Sequence, residues 1–197
     1  MSAQVIAAIK RGEVVIIPLE HSYVYACDAF SLPAVNRLHQ LRNDPPGIAA
    51  QVLIASAQTL EGLAQGLTPD IKTLANSFWP GLLTFILQPN QSLNWDLGDG
   101  GNLETFAIRS PDQNQVLEVI RETGPLAIAI AASAGTPSVS SISNHHDLAA
   151  IDIGEIQPGL ASTVVALEGG KLVVNRVGAL TLEDLRKVAS AIQLPNE

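Results

Sequence analysis

Two clusters of residues could bind a phosphate group or a metal ion, and both have a plainer interpretation. Gly98 to Gly101 form a Gly-Asp-Gly-Gly run, but a phosphate-binding loop needs a helix to start directly after it. A strand is predicted after this run, at residues 105–108, so a hairpin turn is favoured. His145-His146-Asp147 could suggest a metal site, but adjacent residues on a helix do not face one point and no second cluster adds ligands. We expect a solvated helix start there.

His21 is the first residue that we expect near a pocket. It stands beside Glu20, just after a predicted buried strand that ends at Pro18, and strand ends often carry active-site residues in open sheets. The Ser/Gly/Pro-rich loop at 133–144 could close over a ligand or could be a plain surface loop. Its serines have no evident base partner, which argues against a serine nucleophile. Trp79 is interpreted as a packing residue rather than as a stacking platform.

The elements that must position these residues alternate between helix and strand, with one hairpin near the end. The predicted strands lie at 13–17, 51–55, 82–87, 105–108, 126–131, 163–167 and 172–175. The predicted helices lie at 3–11, 32–41, 57–64, 68–77, 113–122 and 181–192. This order predicts an α/β or α+β fold with a mixed parallel and antiparallel sheet, in a single domain over 1–197.

The composition excludes several classes of protein. Hydrophobic residues make up 47% of the 197 positions, which rules out a disordered chain. The lone cysteine, Cys27, excludes an internal disulfide and a four-thiolate zinc site, and it suits a reducing cytosol, so a cytoplasmic location is expected. The longest apolar run, 125–132, is too short for a transmembrane helix of about 20 residues, and the first residues lack a signal-peptide pattern. The net charge of −8 argues against a nucleic-acid partner.

Several short motifs follow one another in a distinctive order. They are Pro18-Leu19-Glu20-His21-Ser22-Tyr23, Arg42-Asn43-Asp44-Pro45, Trp79-Pro80-Gly81-Leu82-Leu83-Thr84, Ile108-Arg109-Ser110-Pro111, Ser162-Thr163-Val164 and Arg176-Val177-Gly178. In this order the chain resembles the YrdC/YciO family, the threonylcarbamoyl-AMP synthases of tRNA modification, from about residue 3 to 180. The resemblance implies a twisted, mixed sheet with flanking helices and one concave face.

The resemblance also implies which residues line the ligand cleft. The positions that the resemblance places in the cleft are His21, Tyr23, Arg42, Arg109, Ser162, Thr163 and Arg176. Of these, His21 stands where the motif has its second threonine, and Arg42 stands where it has a lysine. The family reaction joins threonine, bicarbonate and ATP into threonylcarbamoyl-AMP and pyrophosphate, so ATP and Mg²⁺ are expected if the chain is active. No resident metal site is expected.

Four further positions depart from the family pattern and lose the family's polar or cationic group. Leu19 stands where the first threonine of the Pro-Thr-Asp-Thr motif is expected, and Asp44 replaces the arginine of the Lys-x-Arg motif. Ile130 and Ala132 replace the polar residues of the Ser-x-Asn motif. A carboxylate in place of a phosphate-facing cation reverses the local charge, and losing one preorganised donor commonly lowers a rate about 100–1,000-fold.

Three functions remain open at this stage. The first is a divergent paralogue with impaired or lost catalysis. Such a pseudoenzyme would bind a small-molecule anion, a nucleotide or a protein partner in the family cleft. The second is an active synthase. The family's concave surface implies a third function, binding of double-stranded RNA, which the net charge disfavours. We further predict that Arg42, Arg109 or Arg176 forms an ion pair with Asp44 or Glu20 across the ligand site, because a cation without its ligand is costly to desolvate.

Overall fold

A mixed sheet flanked by helices organises the chain. The computed structural model describes residues 2–93, 95–130, 136–142 and 145–195. Within them, the strands are β1 (Val15–Pro18), β2 (Tyr23–Asp28), β3 (Gln51–Leu53), β4 (Leu83–Leu87), β5 (Phe106–Arg109), β6 (Leu126–Ile130), β7 (Thr163–Glu168) and β8 (Lys171–Arg176). The α-helices are α1 (Ser2–Lys10), α2 (Leu32–Arg42), α3 (Leu60–Leu63), α4 (Pro69–Phe78), α5 (Asn114–Thr123) and α6 (Leu182–Val188).

All the described strands join one sheet in the order β1-β2-β6-β3-β5-β4-β7-β8. The pairs β3–β5 and β4–β7 are parallel, and the other neighbours are antiparallel. This arrangement confirms the predicted mixed sheet and excludes both a helical bundle and a purely parallel sheet.

Each face of the sheet packs against its own layer of helices. Successive residues of a strand point to opposite faces, and β1 shows this directly: Ile16 belongs to one hydrophobic cluster, whereas Val15 and Ile17 belong to the other. The first cluster contains side chains of α2, α4 and α6, and the second contains side chains of α1 and α5. The strands β1, β2, β3 and β6 have side chains in both clusters and are therefore buried on both sides, whereas β4, β5, β7 and β8 have side chains only in the first cluster.

Irregular segments cover both outer strands of the sheet. Along β1, the Ile16 amide donates to Ala149 O at 2.9 Å, and the Ile151 amide donates to Ile16 O at 3.0 Å. Along β8, the Val174 amide donates to Gln193 O at 2.8 Å, and the Gln193 amide donates to Leu172 O at 3.0 Å. The backbone groups that an outer strand would otherwise expose are thus partly used within the chain.

Some element predictions were wrong. The strand β2 was not predicted, because its residues are buried almost without a break and show no alternation of polar and apolar side chains. The last helix was predicted to reach residue 192, but α6 ends at Val188. His145–Asp147 form a 3-10 turn rather than the start of an α-helix. No helix in the described ranges is long and apolar enough to cross a membrane.

Candidate functional site

A buried ion pair joins the turn after β1 to the end of β5. Both guanidinium Nη atoms of Arg109 donate to the carboxylate of Glu20, at 2.7 and 2.8 Å, and the two side chains are only 7% and 11% exposed. The Asp112 amide donates to the same carboxylate at 2.8 Å. Burial alone would raise the pKa of Glu20, but the hydrogen bonds and charge of Arg109, together with the Asp112 amide, lower it overall.

A second polar cluster, the Arg176 corner (Thr84, Ser162 and Arg176), lies where β4, β7 and β8 meet. Nε and Nη2 of Arg176 donate to the backbone oxygen of Ser162 at 3.2 and 2.9 Å, and Nη2 also reaches Ser162 Oγ at 3.2 Å. The hydroxyl groups of Ser162 and Thr84 share a hydrogen bond of 2.8 Å. Phe85 pairs with Ile108 in the antiparallel ladder of β4 and β5. Thr84 and Arg109 are the next residues toward the same end of these strands, so the corner lies near the Glu20–Arg109 pair.

Thr163 is used inside the fold. Its Oγ1 donates to Leu180 O at 2.6 Å and accepts from the amides of Gly178 and Leu180 at 2.9 and 3.0 Å. The side chain is fully buried. With these three partners, the hydroxyl group holds the segment after β8 in place.

Arg42 belongs to a third cluster, the Asp44 group (His39, Arg42 and Asp44). The carboxylate of Asp44 contacts Nε of Arg42 at 3.3 Å and Nδ1 of His39 at 2.8 Å. Nε2 of His39 contacts Leu97 O at 2.8 Å, and the ring packs so closely on Gly98 that a Cβ at that position would collide with it. A cavity of about 520 Å³ lies beside the group, between α2 and the glycine-rich loop.

The first residue of β2 and the turn before it also hold the segment 152–159. The hydroxyl group of Tyr23 donates to Gly154 O at 2.8 Å and accepts from the Ile153 amide at 2.9 Å. Burial is the main cause that raises the pKa of this phenol. His21 packs against Gly159 so tightly that an added Cβ would overlap its ring.

The remaining predicted positions are those where the family's polar residues are replaced. Leu19 is buried in the hydrophobic cluster that contains α1 and α5. The backbone of Ile130 pairs with Val24, and Ala132 lies outside the described residues. In the described part of the chain, no group of His, Cys, Asp or Glu side chains has the arrangement of a metal site.

The predicted ion pairs form, with one correction. Arg109 pairs with Glu20 and Arg42 pairs with Asp44. However, Arg42 ends α2 and Asp44 follows it by two residues, so their pair is local and does not span a ligand site as we predicted. Among the described residues, no hydrogen bond or ion pair joins the Asp44 group to Arg109 or Arg176.

Sequence reasoning missed three residues that complete these clusters: His39, Thr84 and Gly159. A usable signal existed for His39, which precedes Arg42 by three residues and therefore lies on the same face of α2. Thr84 stands in the Trp-Pro-Gly-x-x-Thr motif, but its contact with Ser162 depends on the parallel pairing of β4 with β7. Nothing in the local sequence indicates that Gly159 would meet His21.

Comparison with known proteins agrees with this fold and these motifs. A model of the Sua5, YciO and YrdC proteins, described as "Telomere recombination", matches residues 7–178. The chain therefore belongs to the Sua5/YciO/YrdC family.

Curated relatives carry the name threonylcarbamoyl-AMP synthase. The Bacillus subtilis protein is 33% identical over 199 residues, which cover 98% of this chain and 57% of that protein. A Mycobacterium tuberculosis protein, for which that name is provisional, is 31% identical over 189 residues, which cover 93% of this chain and 86% of the relative. The chain thus spans nearly the whole mycobacterial relative but little more than half of the Bacillus protein.

Solved structures share the architecture. Pyrococcus abyssi Sua5 complexed with L-threonine superposes with a TM-score of 0.87 at 28% identity, over 98% of this chain and 58% of that one. Escherichia coli YciO superposes with a TM-score of 0.77 at 19% identity, over 93% of this chain and 92% of that one. At that identity the YciO likeness concerns the fold alone.

Proposed function

We propose that this chain is a divergent relative of the threonylcarbamoyl-AMP synthases with impaired or lost catalysis, which binds a ligand or partner through the family cleft. One observation carries the proposal. The carboxylate of Asp44 is 7% exposed and contacts Arg42, and Asp44 stands where the family motif has an arginine. The carboxylate of Asp44 therefore already pairs with Arg42, the cation that the resemblance assigns to ligand binding.

The charge reversal is large enough to matter for phosphate chemistry. At an effective dielectric constant of about 20, two unit charges about 4 Å apart interact by about 4 kcal/mol. A phosphate that approached Arg42 would meet the carboxylate that is already paired with this arginine, and the phosphate would have to displace that carboxylate. Because phosphoryl transfer depends on cations aimed at the developing negative charge, this arrangement disfavours the family reaction.

The Glu20–Arg109 pair adds no support for lost catalysis. The family motif already has an acidic residue at the position of Glu20, so a pair with Arg109 is no departure from the pattern. Arg109 is nevertheless buried, with two hydrogen bonds to Glu20 and one to Gly81 O, so a ligand that uses the donors facing Glu20 must displace that carboxylate. The argument for impaired nucleotide binding therefore depends on Asp44.

Pyrophosphate release from ATP, with L-threonine, bicarbonate and Mg²⁺, tests the proposal directly. The Bacillus subtilis threonylcarbamoyl-AMP synthase serves as the positive control. We expect a rate at least about 100-fold lower for this chain, which is the usual loss when one preorganised donor is removed. A rate within tenfold of the control, with threonylcarbamoyl-AMP as product, would overturn the proposal.

Substitution of Asp44 tests the reason that we give. Asp44→Ala should free Arg42 and His39 and raise the affinity for inorganic pyrophosphate, measured by calorimetry. Asp70→Ala, which removes an exposed acid at the start of α4, is the matched control and should leave the affinity unchanged. If neither variant gains affinity, Asp44 is not what blocks the site.

An active synthase remains the second candidate, because identity to the Bacillus subtilis synthase extends over 98% of this chain. The same assay separates the two functions. Binding of double-stranded RNA is the third candidate, and the net charge of −8 speaks against it. A binding curve whose affinity falls steeply with added salt would revive that candidate.

A further inference from the structure

A cavity of about 530 Å³ lies between the start of α2 and the segment that joins β4 to β5. Its volume falls in the range of about 300–1,000 Å³ that is usual for small-molecule sites. None of the described residues that line it belongs to the positions predicted for the ligand cleft. The cavity is therefore a separate place at which a ligand could bind.

Two stacked aromatic rings belong to the lining of this cavity. The rings of Phe30 and Trp95 are nearly parallel, at 10°, with their centroids 5.1 Å apart. Trp95 is fixed in turn, because its Nε1 donates to Ala29 O at 2.6 Å and its ring packs edge-to-face against Phe106. Phe30 is 49% exposed and is the one exposed aromatic side chain in the described part of the chain. The cavity therefore has an aromatic surface that is held in place by packing and that a ligand can reach.

Asp96 is the one ionisable side chain among the described residues that line the cavity. Its Oδ1 accepts from the amides of Gly98 and Gly100 at 2.9 and 3.3 Å, whereas its Oδ2 has no hydrogen bond to a described residue. No lysine, arginine or histidine in the described ranges forms an ion pair with it. The loop thus orients this carboxylate and leaves its charge uncompensated.

We propose that this cavity binds an organic cation with a methylated ammonium group, whose charge is attracted by Asp96 and whose methyl groups pack on Phe30. Charge complementarity selects a cation, because the described lining contains one acid and no Lys, Arg or His. The face of an aromatic ring also attracts cations, and quaternary ammonium groups above all. A primary ammonium fits less well, because it is strongly hydrated and would lose water to an apolar lining that includes Leu32, Leu93 and Leu103. The inference goes beyond the proposed function and does not rest on it.

Binding of choline, compared with dimethylbutanol and ethanolamine, tests the class of ligand. Dimethylbutanol has the shape of choline with carbon in place of the charged nitrogen, and ethanolamine has the charge without the methyl groups. Choline should bind at least about tenfold more tightly than either, which is the usual value of one charge-assisted or cation–π contact. NMR spectra of the indole N–H groups should show a saturable shift for Trp95. The signal of Trp79, which does not line the cavity, should stay in place.

Variants assign the binding to this cavity. Asp96→Asn keeps an acceptor oxygen for the two glycine amides but removes the charge, so it should weaken choline binding at least about tenfold. Asp70→Asn removes an exposed acid from α4 and is the matched control. Phe30→Leu keeps an apolar side chain without an aromatic face, so it should weaken the binding of choline but not that of dimethylbutanol. Phe30→Tyr keeps the aromatic face and should retain choline binding.

Several outcomes would overturn this inference. They are binding of dimethylbutanol or ethanolamine as tight as that of choline, no saturable shift of the Trp95 signal, equal choline affinities in the two aspartate variants, or loss of choline binding in Phe30→Tyr. Circular dichroism melts of each variant show whether a loss of binding reflects loss of fold. The pyrophosphate assay involves none of these residues, so this inference can fail while the proposal of impaired catalysis stands, and the reverse also holds.

Discussion

The buried pair between Glu20 and Arg109 should dominate the response of this protein to a single charge change. Glu20→Gln keeps the shape of the side chain but removes the negative charge. It also places an amide donor against a guanidinium group that can only donate. Arg109 would then remain buried, 7% exposed, without a counter-charge.

The expected loss is large. Breaking a buried ion pair by removing one partner lowers the free energy of unfolding by about 3–5 kcal/mol, because an uncompensated charge stays in the interior. The Asp112 amide loses its charged acceptor as well. For a chain of this size, each kcal/mol shifts the melting temperature by about 2–4 °C, so the variant should melt about 6–20 °C lower.

The pH dependence gives an independent check on the same pair. The pKa of Glu20 is lower in the folded state than its ordinary value, so the pair stabilises the fold fully above that ordinary value, about 4.3. The contribution disappears as the pH falls through the lower, folded-state pKa. The difference between wild type and Glu20→Gln should therefore be constant near neutral pH and shrink below about pH 4.

Urea denaturation at several pH values, followed by circular dichroism, measures both effects. Glu61→Gln is the matched control, because Glu61 contacts Lys72 at 2.6 Å but both side chains are at least half exposed; it should change little. Replacing Glu20 and Arg109 together by leucine should recover most of the loss. A loss below about 1 kcal/mol in Glu20→Gln, or a loss that is the same in acid and at neutral pH, would refute the reasoning.

Three further predictions concern packing and capping. Burial, with a smaller contribution from the charge of Asp28, raises the pKa of Cys27 to about 12, so its thiol should react with Ellman's reagent only on unfolding; fast reaction of the native protein would contradict this. Gly178→Ala should lower the melting temperature, because its Cβ would overlap the backbone of Ala161; an unchanged melt would show that the segment gives way. Thr181→Ala removes the cap of α6 and should lower the free energy of unfolding by about 1 kcal/mol, whereas Thr181→Ser should retain it.

The fold could be predicted largely because its signals are local or depend on motif order. β-branched runs indicate β1, β7 and β8, and Gly169 and Gly170 indicate the hairpin between the last two strands, where both glycines have positive φ angles of 56° and 81°. The strand β2 escaped prediction because a strand buried on both faces loses the alternation that identifies strands.

The site could be predicted only in part, because its contacts depend on tertiary structure. Glu20 and Arg109 are 89 residues apart, and only the folded sheet brings them together. The resemblance assigned Thr163 to ligand binding, and only the folded chain shows that its hydroxyl group also holds the backbone after β8. Leu19, which the resemblance gave as a departure from the family motif, lies in the core between the sheet and two helices, where an apolar residue is the natural choice.

The covered outer strands of the sheet restrict how copies of this chain can associate. Ala149 and Ile151 occupy hydrogen-bonding groups along β1, and Gln193 does the same along β8. At these positions an incoming polypeptide finds no free backbone on which to extend the sheet, so the usual template for strand-by-strand polymerisation is blocked. Partners that reach these two borders must therefore recognise side chains.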